Sequence, residues 1–206
     1  FFRNLVDVMK QFPGERLYGF FAFLLRKTGG CPAAKQRGSW KHFVSNGLSI
    51  VVAAYDRPGQ LRDTLNSLFQ LRVPAGTAVE ILVVLSTRMK DTLAVVLEAQ
   101  KRAPIPLRLI SELQPGLSRA RNQGMEEASY DWVAYFDDDV RVAPDWIDGF
   151  FEAVSKSSPD CIVGPVSPLY CDEIPDYISE EVLDSILSSY SRKGDELLVL
   201  DDKVGH

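Results

Sequence analysis

The feature that most constrains the fold is an alternation of predominantly apolar runs with amphipathic segments across the middle of the chain. Three of the runs are rich in β-branched and aromatic residues: LSIVVAAY (48–55), VEILVVL (79–85) and WVAYF (132–136). Strands are apolar at consecutive positions when both faces of their sheet are covered, which is typical of parallel sheets. The pattern therefore predicts a doubly wound α/β fold with a mostly parallel sheet and helices on both faces.

The segments between the runs repeat at helical spacing. One of them, 57–71, places four apolar residues on one face: Leu61, Leu65, Leu68 and Phe69. The alternation predicts strands at 48–55, 79–85, 106–111, 132–136 and 160–166, and helices near 57–71, 90–102, 118–129 and 144–155. Ligands bind at the carboxyl ends of the strands in such sheets, so each junction from strand to helix is a candidate wall of the site.

The region before this alternation has a different character. Residues 1 to about 28 predict a helix, and a Gly/Pro/Lys/Arg-rich stretch then indicates a linker, with a boundary near residue 46. We thus expect an N-terminal helical extension and linker at 1–46 and a domain at 47–206. Because the chain begins without Met and ends without a helix-stop pattern, we expect that domain to be truncated at its C-terminus.

An apolar run, Gly19–Leu25, lies within the predicted extension between basic residues. It is shorter than the ~20 residues that a membrane-spanning helix needs. We expect it to dock against the core; the alternative is an interfacial helix that places residues 17–27 on a membrane surface. That alternative would associate the protein with the cytoplasmic face of a membrane.

The net charge and the number of cysteines limit the kinds of binding partner and the cellular compartment that we expect. A net charge of −5 argues against a surface that binds nucleic acid through many phosphates, so we predict no nucleic-acid partner. The three cysteines have no metal-ligand spacing, and an odd number fits a reducing compartment. We therefore predict a cytoplasmic protein that holds any anionic ligand with a few local groups or a metal.

Three consecutive aspartates, Asp137, Asp138 and Asp139, directly follow the apolar strand WVAYF. Adjacent carboxylates repel one another unless they share a positive charge, and hard oxygen ligands select Mg²⁺, Mn²⁺ or Ca²⁺. In an extended segment, Asp137 and Asp139 would converge while Asp138 points elsewhere. The alternative is a solvated acidic turn that caps the next helix.

Two other junctions carry candidate binding residues. After the first predicted strand, small Ala53 lets a ligand approach the backbone and Tyr55 can stack on a flat ring, or simply pack on the sheet edge. In the helix that begins near Ser118, a plausible N-cap, Arg119 and Arg121 lie at the end where the dipole disfavours cations. They predict a nearby anion such as a diphosphate, unless they reach solvent or pair with acidic neighbours. The same helix carries a small-residue stripe for close packing: Ala120, Gly124 and Ala128.

Taken together, five segments resemble glycosyltransferase family 2 in order and spacing: LSIVVAAYDRPGQLRDTLNSL, EILVVLSTRMKDT, GLSRARNQGMEEA, DWVAYFDDDVRVAPDWI and GPVSP. The resemblance covers about residues 47–170. It implies a Rossmann-like sheet of the GT-A type and an inverting transfer of a sugar from a nucleotide-diphospho-sugar to an acceptor, which could be a saccharide, lipid or protein.

The resemblance also implies roles for individual residues. Asp139 would hold Mn²⁺ or Mg²⁺, and Asp137, also a candidate metal ligand, or Asp138 would reach the ribose. Ala53 and Tyr55 would line the nucleoside pocket, and Arg121 and Asn122 would lie at the helix start next to the donor. Arg57 and Arg119 are further candidate donor-binding residues, because of their place at the two junctions and not because of the resemblance.

Two departures from the family limit what this chain is expected to do. Leu85 and Ser86 stand where members usually carry an aspartate that contacts the base. An inverting transferase also needs a carboxylate base, which the family supplies from a later acidic pair; GDEL (194–197) lies too early to match it. We therefore assign no catalytic residue and expect this chain to carry mainly the donor site.

Other functions remain open at the level of sequence. A sugar-phosphate nucleotidyltransferase would use the same sheet and metal, but it would need a Gly-rich basic loop after the first strand. A phosphoryl-accepting receiver module would need an acidic pair there and a lysine after the last strand. A nucleotide-sugar-binding protein without catalytic activity would need neither feature.

Overall fold

The computed structural model describes residues 23–26, 47–86, 89–114, 116–157 and 161–164. Strands and helices alternate along most of these residues, as the apolar periodicity predicts. In chain order they are β1 (Phe23–Arg26), β2 (Gly47–Ala54), α1 (Pro58–Leu68), β3 (Ala78–Leu85), α2 (Lys90–Arg102), β4 (Leu107–Ser111), α3 (Leu117–Glu127), β5 (Trp132–Asp137), α4 (Trp146–Ser157) and β6 (Cys161–Val163).

The described strands form one sheet in the order β4-β3-β2-β5-β1-β6. The four strands from β4 to β5 run parallel, and β2 lies at their centre with Val51 opposite both Leu82 and Tyr135. The order reverses at β2, since the chain steps outward to β3 and β4 and then returns to β5 on the other side. The crevice at the carboxyl ends of β2 and β5 is the place where open α/β sheets bind ligands.

Both faces of the inner parallel strands β2, β3 and β5 are covered, which explains why their sequences are mostly apolar at consecutive positions. Helices α1, α2 and α4 pack on one face through residues such as Leu65, Val96 and Ile147, whereas α3 packs on the other. Seven consecutive residues of β3, Val79–Leu85, are buried. The α/β fold with a mostly parallel sheet and helices on both faces, predicted from the alternation, is thereby confirmed.

Helix α3 lies unusually close to the sheet because its inner face consists of small residues. A Cβ atom added at Gly124 would stand 2.3 Å from Cγ1 of Val51, far inside van der Waals contact. Ala120 and Ala128 are buried on the same face. The predicted small-residue stripe is confirmed, and it sets the distance between α3 and the strand that leads to the site.

Two predictions of local structure are wrong. Phe23–Arg26 form a strand that pairs antiparallel with both β5 and β6, so these four residues belong to the sheet and not to a helical extension. As an inner strand, the segment pairs its backbone with neighbouring strands on both sides, β5 opposite all four residues and β6 opposite Phe23–Leu25. Residues 1–22 and 27–46, with the rest of the predicted extension and membrane contact, lie outside the described residues.

The second correction concerns the start of α3. The helix begins at Leu117, and its N-cap is Gly116 with φ of 141°, a conformation that favours glycine, so Ser118 is not the cap. Residues of the strand predicted at 160–166 are described only at 161–164, where β6 lies. Among the described residues, no helix has both the length and the apolar character needed to cross a membrane.

Candidate functional site

The candidate site lies where β2 and β5 end side by side. Ala53 is the register partner of Asp137, the last residue of β5, so the loop after β2 faces the acidic run directly. The strand ends at Asp137, and Asp138 and Asp139 form a turn. The extended conformation therefore ends at Asp137, the first residue of the run. Asp138 and Asp139 consequently share the guanidinium of Arg57, whereas a fully extended segment would bring Asp137 and Asp139 together.

Asp138 is the buried member of the run, with only 5% of its surface exposed. Its Oδ2 accepts a hydrogen bond from the backbone N–H of Tyr55 at 3.1 Å, which ties the turn to the loop after β2. Burial raises the pKa of the Asp138 carboxyl above its ordinary value, although the Tyr55 N–H and the Arg57 guanidinium oppose that shift. This carboxylate therefore fixes the turn in place, and its oxygens face protein groups.

Arg57 links the last two aspartates. Its Nη1 donates a hydrogen bond to Oδ2 of Asp139 and lies 3.6 Å from Oδ1 of Asp138. Arg57 precedes α1, and its carbonyl accepts the N–H of Leu61 at 2.9 Å, so the backbone is fixed while half of the side chain is exposed. One guanidinium thus lies between two carboxylates and offsets only part of their charge.

Arg121 neutralises the first aspartate from the other face of the sheet. Its Nη2 donates to Oδ1 of Asp137 at 2.7 Å, and its side chain is only 13% exposed. The hydroxyl of Tyr135 donates to the carbonyl of Arg121 at 3.3 Å; burial raises the pKa of Tyr135 well above its ordinary value, so the hydroxyl keeps its proton. Within the described residues, the buried Nε of Arg121 has no hydrogen-bond partner.

Helix α1 holds the loop that follows the acidic turn. The hydroxyl of Thr64 donates to the carbonyl of Val140 at 2.9 Å, and Oγ of Ser67 accepts the N–H of Val142 at 3.1 Å. Thr64 is fully buried among the apolar residues of the helix. These bonds fix the loop on both sides of Arg141 and so position the carboxylates before it.

The structure brings some of the predicted residues together and leaves others apart. Ala53, Arg57, Arg121 and the three aspartates meet at this crevice, and Tyr55, a residue that is 60% exposed, contributes its backbone. Neither Arg119 nor Asn122 forms a hydrogen bond or ion pair with the acidic run in the part of the chain that is described. Their roles toward a donor stay predictions.

Sequence reasoning missed the residues that support the site. Thr64 occupies the i+3 position after Leu61 on the buried face of α1, and this polar interruption of an apolar face was a usable signal. Tyr135, a polar-tipped residue inside a wholly apolar strand, was another. A third is Thr92, buried at the start of α2, whose hydroxyl donates to Oδ1 of Asp56 at 3.4 Å.

The donor atoms present fit a hard divalent cation bound together with a ligand. No group of three or more acidic, His or Cys side chains in the described ranges is arranged to hold a metal unaided. Mg²⁺, however, is usually held by one or two carboxylates and by phosphate oxygens of the substrate. Asp137 and Asp139, whose side chains are 29% and 24% exposed, meet that requirement, and their ligation of a metal stays a prediction.

A comparison with protein-family models assigns residues 49–172 to the model described as "Glycosyl transferase family 2". The chain belongs to this family. The matched region contains every residue of the crevice described above, from Ala53 to Asp139. Family membership favours the transferase prediction over the nucleotidyltransferase and receiver-module alternatives.

Individual relatives are similar to this chain at low sequence identity and over part of their length. A curated protein, succinoglycan biosynthesis protein ExoM of Rhizobium meliloti (strain 1021), is 25% identical over 145 residues, which cover 70% of this chain and 47% of that protein. The chain therefore spans about half the length of the curated relative it matches.

Two solved structures are similar at the level of fold. The structure titled TarS 1–349 of S. aureus aligns with a TM-score of 0.48 and 19% identity over 54% of this chain and 33% of that one. A mannosyltransferase from Pyrobaculum calidifontis, solved with GDP-Man and Mn²⁺, aligns with a TM-score of 0.49 and 20% identity over 53% and 32%.

Proposed function

We propose that this chain carries the donor-binding part of an inverting glycosyltransferase. The transferase would move a sugar from a nucleotide-diphospho-sugar to an acceptor that is a saccharide, lipid or protein. The observation that carries the proposal is the meeting of three carboxylates and two arginines at the carboxyl ends of β2 and β5, within the region that matches the family.

The crevice suits a diphosphate because both signs of charge are present and partly open. Arg57 and Arg121 supply guanidinium groups that bind phosphate oxygens in a fork geometry. The buried Nε of Arg121, which lacks an acceptor among the described residues, gives such a ligand one further donor to satisfy. Helices α1 and α3 begin at this edge without a side-chain cap hydrogen bond among the described residues, so N–H groups of their first turns, beyond Pro58 in α1, can also donate to a phosphate.

The nucleoside would lie beside the loop after β2. Ala53 and Ala54 are small and end the strand without side chains that block the crevice, and the exposed ring of Tyr55 offers a stacking surface. In this arrangement Asp138 orients the loop through the Tyr55 N–H, and its effect on the nucleoside is indirect. Asp137, whose side chain is 29% exposed, is the carboxylate left to meet a ribose hydroxyl, as an alternative to ligating the metal.

A divalent cation, Mn²⁺ or Mg²⁺, bound at Asp139 and Asp137 would neutralise the charge that develops on the departing nucleoside diphosphate. The residues of this chain would position the carboxylates: Arg121 holds Asp137 in place, and α1 holds the turn through Thr64. Deprotonation of the acceptor is assigned to no residue described here. Donor binding is thus the part of the reaction that these residues support.

The test is isothermal titration calorimetry of the full chain with UDP- and GDP-sugars in the presence and absence of Mn²⁺. We expect one of these nucleotides to bind only with the metal, and Asp139→Asn to weaken that binding by at least about 100-fold, because a charged metal ligand is lost. Asp145→Asn is the matched control, since Asp145 pairs with exposed Arg72 away from the crevice.

Absence of nucleotide binding by the wild-type chain would refute the proposal, and so would metal-dependent binding that survives in Asp139→Asn. A donor-hydrolysis assay on the same samples distinguishes a chain that catalyses cleavage of the donor from a chain that only binds it. Turnover would indicate that a general base lies within this chain, whereas binding without turnover is the result expected of a donor-binding part.

A further inference from the structure

We propose that Arg57 is a mobile counter-charge that holds Asp138 and Asp139 when no metal is bound and turns to the diphosphate when the metal and nucleotide arrive. This inference rests on the proposed function and adds to it a specific competitor for the metal. The same side chain would thereby suppress binding of metal alone and favour binding of the complete donor.

The contacts of Arg57 define the first of the two states. Its Nη1 donates to Oδ2 of Asp139 and lies 3.6 Å from Oδ1 of Asp138. A cation ligated by Asp139 needs an oxygen of the same carboxylate that the guanidinium now contacts. The carboxylate cannot give its full charge to both, so arginine and metal compete for it.

The second state is accessible because only the backbone of Arg57 is fixed. Its carbonyl accepts the N–H of Leu61 at 2.9 Å and so starts α1, while its side chain is 50% exposed. No other hydrogen bond or ion pair holds the guanidinium within the described residues. Rotation about its side-chain bonds would therefore release Asp139 without disturbing the helix.

Arg121 does not offer the same freedom, and this contrast singles out Arg57. The Arg121 side chain is 13% exposed and its carbonyl accepts the hydroxyl of buried Tyr135. Arg121 is thus a fixed charge on Asp137, whereas Arg57 is a solvent-facing charge on the other two carboxylates. Only the solvent-facing arginine can exchange partners when a diphosphate enters beside the start of α1.

The test compares two affinities in Arg57→Gln and the wild-type full chain. Binding of Mn²⁺ alone is followed by the electron paramagnetic resonance signal of free Mn²⁺, and binding of UDP and GDP at saturating Mn²⁺ is followed by calorimetry. We expect Arg57→Gln to bind Mn²⁺ alone about tenfold more tightly, because the competing charge is gone. We expect the same variant to bind the nucleotide about tenfold more weakly, because a donor to the diphosphate is gone.

Two further variants control for charge and for folding. Arg57→Lys keeps the charge but lacks the planar fork, and its affinity for Mn²⁺ alone should stay within about threefold of wild type. Arg72→Gln removes an equal charge from an arginine that pairs with Asp145 and Asp148, and it should change neither affinity. Thermal unfolding of each variant verifies that it is folded.

The opposite signs of the two changes are what a merely structural role would not produce. If Arg57→Gln shifts both affinities in the same direction, shifts neither, or is matched by Arg72→Gln, the exchange of partners is refuted. Failure of the wild type to bind any nucleotide with Mn²⁺ would instead remove the proposed function itself, so the two failures are distinguishable.

Discussion

The two ends of the parallel sheet both bury an acidic side chain, but they satisfy it in different ways. At the amino end, Oε1 of Glu80 accepts the hydroxyl of Ser49 at 2.8 Å and the N–H of Ser129 at 2.7 Å, and Oε2 lies 3.3 Å from Nε of Arg108. At the carboxyl end, three adjacent carboxylates share two arginines, and two of the three are partly exposed.

The difference shows that burial of a carboxylate does not by itself mark a site. Glu80 uses both oxygens to join β2, β3, β4 and the segment before β5, and its side chain is only 7% exposed. The acidic run keeps oxygens open to solvent and has more negative than positive charge. A structural acid is satisfied within the protein, whereas a binding acid still has capacity for a ligand.

The largest effect that would test this comparison is on stability at the amino end. Glu80→Ala should lower the free energy of unfolding by about 3 kcal/mol, because it leaves the buried hydroxyl of Ser49, the N–H of Ser129 and the Arg108 guanidinium without their acceptor. Urea denaturation measures the loss. Glu80→Gln keeps one acceptor oxygen and should lose less.

Nucleotide binding by the folded fraction of Glu80→Ala should equal that of the wild type. A large drop in affinity would mean that the amino-end cluster also shapes the site, and the contrast between the two ends would then be lost.

A smaller effect is expected where α1 supports the carboxyl end. Thr64→Val removes the hydrogen bond to the Val140 carbonyl at nearly constant shape and should cost about 1 kcal/mol of stability. Because this bond positions the loop after the acidic turn, metal-dependent nucleotide binding should weaken as well. Thr64→Ser, which retains the hydroxyl, is the matched control for calorimetry and denaturation.

Unchanged nucleotide binding in a destabilised Thr64→Val protein would show that the loop holds its position without α1. The carboxyl end would then resemble the amino end, with contacts that serve stability alone.

The smallest effect is expected for an exposed ion pair on the same loop. Arg141 and Asp63 approach to 2.6 Å, and both side chains are about half exposed, so Arg141→Gln should change the free energy of unfolding by no more than about 0.5 kcal/mol. Denaturation at low and high salt measures it. A loss as large as that of Thr64→Val would show that charge, and not the buried hydroxyl, holds the loop.

Much of the fold follows from sequence because burial on two faces leaves a strong pattern. The runs of β2, β3 and β5 are apolar at consecutive positions, and α1 repeats its leucines at helical spacing, so both kinds of element were predictable. The acidic run was placed correctly at a strand end for the same reason. The basic partners of the three aspartates were not predictable. The change from strand to turn at Asp138 depends on the N–H of Tyr55, which belongs to a segment distant along the chain.

The error in β1 has a comparable origin. Three apolar residues followed by Arg26 carry no period that distinguishes a strand from part of a helix, and the choice is made by β5 and β6, which lie far along the chain. Local propensity therefore had nothing to contribute there. The start of α3, in contrast, was predictable from sequence, because Gly116 directly before Leu117 indicates a helix start. The choice of Ser118 as the cap gave the wrong boundary.

The position of β1 also bears on how the protein is made. Phe23 pairs with Tyr135, so the segment leaves the ribosome roughly 110 residues before its partner does, and a pairing of that sequence separation closes slowly. Strand β6 in turn pairs with β1, so β6 can join the sheet only after β1 has docked. Until β1 docks, the edge of β5 exposes backbone groups that can pair with a strand of another chain. The segment that first covers this edge therefore protects the new chain from aggregation.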